Sequence, residues 1–309
     1  MNLLKYYQQY RDKWWALPLI LPTLLLPLAR WANTFTMLNG HMVFLYYLPL
    51  ALVLSLMMFF GWAAIPGIII GLLLTLAHGM APEQAIGVLF HFLVPCVLCW
   101  GGYRIFVPQR QQISHGNVKL MPHRLFWQML LPSVIFLILS QIAEYLGLHP
   151  RTTEMTGITP FSLRSLITFQ ALMVGCLTGV PLCYLLLRII RNPFHVRGFI
   201  SQIRLQIDPK IKKLEIFCWV AILILLLGLL LMPLNNTSTI FSTNYTLSLL
   251  MPVMLWGAMR FGYRFTSLIW TPVLIAVIHF HYRYLPIYPS YNTQLAITSS
   301  SYLVFSFIV

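Results

Sequence analysis

The chain has 309 residues, 59% of them hydrophobic and 8% charged, with 20 Lys and Arg against 6 Asp and Glu. Soluble domains carry about a quarter charged residues and about half apolar ones, so this composition excludes a water-soluble globular protein and makes the bilayer the solvent. The net charge of +14 is spread over short segments between apolar runs rather than gathered on one element, which excludes a nucleic-acid-reading surface.

In chain order the apolar runs predict ten helical spans, at about residues 15–32, 42–60, 62–79, 83–101, 125–147, 163–188, 214–233, 245–259, 265–281 and 295–309. The expected fold is an all-α polytopic transmembrane helix bundle, with the lipid bilayer as its first partner. The first run, Leu17 to Leu28, leads into Arg30 and Trp31 rather than a small-residue cleavage site, so it is expected to stay as an anchor. Residues 42 to 77 form one long apolar stretch, which is read as dividing at Gly61. The last run, Leu295 to Val309, has 15 residues, about 22 Å as a helix against the roughly 30 Å of a bilayer core. It is read as a truncated span, and the chain as the membrane half of a longer protein.

Positive charge sets the orientation. With the N-terminus in the cytoplasm and ten spans, 16 of the 20 basic residues fall inside, and Arg30, Arg151, Arg164 and Arg283 fall outside. Treating 42–77 as one span would turn the basic loops outward. Both termini are therefore expected in the cytoplasm, in a multi-pass plasma-membrane protein. The segment Phe199 to Lys212, with Ile200, Ile203 and Ile207 between Arg204, Lys210 and Lys212, reads equally as a short amphipathic helix on the inner leaflet or as a solvated loop.

Few residues could carry chemistry. Cys96, Cys99, Cys176, Cys183 and Cys218 all lie in apolar runs, where they read as small hydrophobes rather than as a disulfide framework or a redox Cys-x-x-Cys. Prolines recur in or beside most spans, among them Pro18, Pro22, Pro27, Pro95, Pro181, Pro252 and Pro272, and predict kinks. The pairs Gly67/Gly71 and Gly175/Gly179 predict close helix packing. Glu144 and Arg164 are expected at similar depth across a short outer loop, as a structural ion pair or a functional one. His91 reads as a neutral, hydrogen-bonded residue. The outer segment from His279 to Tyr291, with His41, His78 and His149, offers histidines but not a metal-ligand set, and its tyrosines read as an aromatic belt. No nucleophile with a base and an orienter can be assembled, so no catalytic, cofactor-binding or metal residue is assigned and no cofactor is named.

Three stretches carry a resemblance. Leu250-Met251-Pro252-Val253-Met254-Leu255-Trp256-Gly257-Ala258-Met259-Arg260-Phe261-Gly262 is similar to the Pro-x-x-x-Trp-x-x-x-Arg-Phe-Gly signature of the membrane-associated sensor domain, first class. Tyr47-Leu48-Pro49 through Pro66-Gly67 to Gly71 resembles the family's early proline and glycine helices, with Leu48-Pro49-Leu50-Ala51 where the family has Trp-Pro-Pro-x-Gly. Gly179-Val180-Pro181 is a third correspondence. Arg11-Asp12-Lys13-Trp14-Trp15, Cys99-Trp100-Gly101-Gly102-Tyr103-Arg104 and Ser238 to Ser248 further resemble the membrane half of an enterobacterial cyclic-diguanylate phosphodiesterase. The resemblance implies a bacterial inner-membrane sensor that precedes cytoplasmic diguanylate cyclase or phosphodiesterase domains acting on cyclic di-GMP, and it implies a homodimer. Neither Gly-Gly-Asp-Glu-Phe nor Glu-Ala-Leu occurs in these residues, so the chain itself is not expected to be an enzyme.

The expected function is thus a sensory input module that takes an unidentified small-molecule or membrane signal and passes a helix displacement to its output. Pro252, Trp256, Arg260, Glu144 and Arg164 are the residues singled out for sensing or for structure. A small-molecule or ion transporter is the rival, with Gln128, Gln170 and Thr178 as its mid-span polar groups but no internal repeat. A passive membrane anchor is the third reading.

Overall fold

Pro18 opens the first helix, α1 (Leu17–Ala32), in its first turn, where a missing backbone N–H costs nothing. The computed structural model describes residues 13–33, 35–38, 41–75, 81–106, 121–146, 162–191, 200, 213–231, 243–284, 299–304 and 306. These fall into two units, Met1–Arg191 and Asn192–Val309.

In the first unit, α1 is followed by an antiparallel hairpin, β1 (Phe35–Leu38) and β2 (His41–Phe44), paired from Phe35 with Phe44 to Leu38 with His41. Then come α2 (Leu48–Phe60), a 3₁₀ turn at Gly61–Ala64, α3 (Ile65–Thr75) and α4 (Pro82–Phe106). Helix α5 begins at Met121–Leu125, widens into a π-type turn over Phe126–Leu130 and continues as Leu131–Tyr145. The widening precedes Pro132, which has no N–H for the carbonyl one turn back. Helix α6 is Leu163–Arg191. The fold is helical, as composition requires, and the hairpin is its departure from all-α. It also shortens the predicted second span, since residues 42–47 are strand and extended chain rather than helix.

Among the described residues three helical runs are long and apolar enough to cross a membrane: 48–75, 82–106 and 163–191. The first is not one rod. Asn33, at the end of α1, accepts a hydrogen bond from the Leu48 N–H at 2.9 Å, so α2 starts where α1 ends and runs back along it. Gly67 lies against Pro18 and Leu19, and Gly71 against Pro22 and Leu26, so α3 runs parallel to α1. The chain therefore reverses at Gly61, whose φ of +61° and ψ of −139° are open to glycine and little else.

Contact order gives the rest of the first unit the same alternation. Trp100 of α4 meets Gly61, and Trp127 of α5 meets Gly102, while His91 and Phe92 meet Phe136 one helix over. Gly175 and Gly179 of α6 pack on Tyr47 and Ala51, and Phe59 packs on Tyr184, so α6 runs parallel to α2. Helix α2 is buried from Pro49 to Met57 and forms the core of the unit.

The second unit contains α7 (Lys213–Leu231), α8 (Thr243–Phe261), α9 (Tyr263–Tyr284) and a helical segment at 299–304. Gly262, at φ +89°, separates α8 from α9 with a single residue. The Trp270 indole N–H donates to Ser306 Oγ at 3.1 Å, tying α9 to the end of the chain.

Candidate functional site

The helix that carries the Pro-x-x-x-Trp-x-x-x-Arg-Phe-Gly stretch is α8, and its neighbour α7 decides what each residue of that stretch does. Pro252 leaves the Ser248 carbonyl without its helical donor. One residue on, the Val253 carbonyl accepts a hydrogen bond from the Trp219 indole N–H of α7 at 2.8 Å. Trp219 is fully buried. Its ring lies where a side chain on Gly257 would be, 2.6 Å from the position a Cβ would take there. Phe261 meets the same ring edge-on at 5.4 Å, and Phe265 of α9 closes the cluster at 5.9 Å.

At the rim of this joint, Arg260 Nε donates to Glu215 Oε1 at 2.7 Å, and Nη2 lies 3.5 Å from Oε2. Glu215 is in the first turn of α7 and Arg260 in the last turn of α8. Each charge opposes the partial charge of its own helix end, so the antiparallel pair is favoured twice over, by both dipoles and by the contact. Trp256, one turn before Arg260, is exposed, as is Pro252. Arg260 thus makes an inter-helix pair, for which Glu215 offers the guanidinium a two-pronged acceptor. Glu215 and Trp219 are functional candidates that sequence reasoning passed over. The signal was available: Glu215 and Arg260 both lie on the predicted inner side, at facing ends of consecutive spans.

Arg164 is buried in the first turn of α6. The Glu144 side chain lies outside the described residues, so the expected pair rests on Arg164 alone. His91 Nδ1 lies 2.5 Å from the Gly87 carbonyl oxygen, and the imidazole tilts against Phe136 at 5.9 Å. Thr178 donates to the Val174 carbonyl at 2.8 Å and shares a buried hydrogen bond with the Tyr46 hydroxyl at 3.1 Å. The five cysteines are free thiols, Cys218 exposed and the others buried. Among the described residues no three His, Cys, Asp or Glu side chains gather as a metal site. The His279 to Tyr291 segment beyond residue 284, His78, His149 and the 201–212 segment lie outside the described residues.

The MASE1 family model matches residues 15–309. The chain belongs to the MASE1 family. It is a membrane sensor domain, and its location is the membrane. Across all 309 residues this MASE1 domain is 52% identical to the cyclic di-GMP phosphodiesterase PdeF of Escherichia coli strain K12, and it spans 41% of that protein's length. No solved structure matches the chain.

Proposed function

We propose that this MASE1 domain is the sensory input half of a cyclic di-GMP phosphodiesterase and that the α7–α8 joint transmits its signal. The observation that supports this reading most directly is the Glu215–Arg260 pair over the Trp219–Gly257 contact, because it falls on the stretch that resembles the family signature. A buried indole seated on a glycine holds two helices at one register. An ion pair at their exposed ends can be made and broken at low cost. A signal that favours one register over another needs such a two-state element. The output is proposed by likeness to the relative, whose activity belongs to the whole enzyme.

The membrane arrangement proposed with it has ten crossings and both termini in the cytoplasm of the inner membrane. The alternation of α1 to α6 supports it, as does the charge count. The second crossing would combine α2 with the buried extended residues 43–47, since irregular backbone is tolerated at membrane depth where protein covers it.

The test grafts the chain onto a cyclic di-GMP output domain and follows cyclic di-GMP in cells as the medium is changed. The expected result is output that varies with the medium in the wild-type fusion and is flat in Arg260→Ala and Glu215→Gln fusions of equal membrane abundance. A flat wild-type response in every medium would leave the anchor or transporter reading in its place.

A further inference from the structure

At the end of the first unit where α2 turns into α3, an arginine side chain lies over a tryptophan ring. The Arg104 guanidinium carbon lies 5.2 Å from the Trp100 ring centroid. Trp100 is itself fixed by the turn, since Trp62 meets it edge-on at 4.9 Å and Gly61 approaches it so closely that a Cβ there would be 3.1 Å from the ring. A guanidinium carries five N–H donors, and a cation–π contact with an indole consumes none of them as hydrogen bonds. Arg104 is exposed and has no carboxylate partner among the described residues. The acidic residue on the same helix, Glu83, is 21 positions earlier, about 31 Å away along the axis.

The surroundings are apolar. Trp62, which packs on Trp100, is 62% exposed, and Ile105 and Phe106, which follow Arg104 in the chain, are 79% and 63% exposed. Large apolar side chains beside an unpaired, pre-oriented cation fit one environment, the boundary where acyl chains meet anionic headgroups. Snorkelling to water explains a charge at that depth, and the cation–π contact with a buttressed ring adds a fixed position to it. We propose that Arg104, stacked on Trp100, binds the phosphodiester of an anionic phospholipid, with Trp62, Ile105 and Phe106 against its acyl chains. This site is independent of the α7–α8 joint and of the nature of the output.

The test measures lipid retained by the purified full chain, by native mass spectrometry from detergent, after exposure to phosphatidylglycerol or phosphatidylcholine. The wild type is expected to retain phosphatidylglycerol in preference to phosphatidylcholine. Arg104→Gln should weaken phosphatidylglycerol retention about tenfold, since one charge-assisted contact is lost. Arg104→Lys, which keeps the charge but not the planar stack, should fall between. Trp62→Leu should weaken retention with Arg104 intact, which keeps the proposal testable where Arg104→Gln lowers yield. Equal retention of both lipids, unchanged phosphatidylglycerol retention in Arg104→Gln of wild-type helicity, or displacement of the lipid by inorganic phosphate would each overturn it.

Discussion

Glu215 and Arg260 face each other across α7 and α8 at 2.7 Å, 45 residues apart in sequence, at helix ends whose dipoles favour both charges. The carboxylate is 26% exposed and the guanidinium 48%, so solvent screens the pair and its worth is small. Small worth suits a contact proposed to open. It also makes the pair measurable by difference, where the buried aromatic cluster beneath it would simply unfold.

A double-mutant cycle should therefore report a coupling of about 0.5 kcal/mol. Arg260→Ala and Glu215→Gln are each expected to lower the melting temperature of the purified chain slightly, and the double variant no further than either alone. The Glu215→Arg/Arg260→Glu exchange places both charges against their helix dipoles. It should recover the contact but not the full stability. Additive losses in the cycle would show the two side chains to be uncoupled.

Trp219 should be far less tolerant. Trp219→Ala removes a fully buried indole and its hydrogen bond to Val253, at a cost of about 3–5 kcal/mol. Trp219→Phe keeps most of the ring but leaves the Val253 carbonyl with one donor fewer, at about 1 kcal/mol. Thermal melting monitored by circular dichroism separates these. Gly257→Leu should match Trp219→Ala, because the added side chain and the indole claim the same space.

Two helix glycines give a sharper contrast. A Cβ on Gly175 would collide with the Tyr47 carbonyl, whereas one on Gly101 meets nothing within 4 Å. Gly175→Leu is expected to abolish the folded yield recovered from membranes. Gly101→Ala should be neutral or add about 0.5–1 kcal/mol through helix propensity. Size-exclusion profiles of the two variants check this directly, and equal profiles would mean that α2 and α6 are not in contact there.

The reversal at Gly61 predicts its own sensitivity. Gly61→Ala forces a side chain into a backbone region it avoids, at about 2–3 kcal/mol, and presses on Trp100 as well. Inserted into the membrane, the variant should expose residues near 61 to cysteine-directed labelling from the same side as the wild type but melt earlier. Protection from labelling on both sides would mean that 48–75 crosses as a single rod, with residue 61 at mid-depth.

Much of the helical framework was legible because a bilayer writes it into composition. The described helices lie on the apolar runs, and Gly67, Gly71 and Gly175 approach the backbone of a neighbouring segment while Gly179 packs on the Leu48 and Ala51 side chains, the close packing their spacing implies. The hairpin was legible too and was passed over: Asn39-Gly40 between Phe35-Thr36-Met37-Leu38 and His41-Met42-Val43-Phe44 is the composition of a two-residue hairpin loop. The apolar content of β2 drew Met42 to Phe44 into the predicted second span, and β1 was left between the first two spans. The candidate site was half legible. The motif marked Pro252, Trp256 and Arg260, but motif position carries no facing, and the indole that fills the joint is Trp219.

By itself, the sequence determined that this protein lives in a bilayer, where its chain is helical and where glycines let helices approach, since solvent and sterics act on residues one at a time. The tertiary structure alone decided that Arg260 pairs with Glu215 while Trp256 stays exposed, that Gly257 serves Trp219, and that Arg104 lies over Trp100. Those choices depend on which helix is the neighbour and which face it presents, and in a chain that is apolar nearly all round no periodicity records either one.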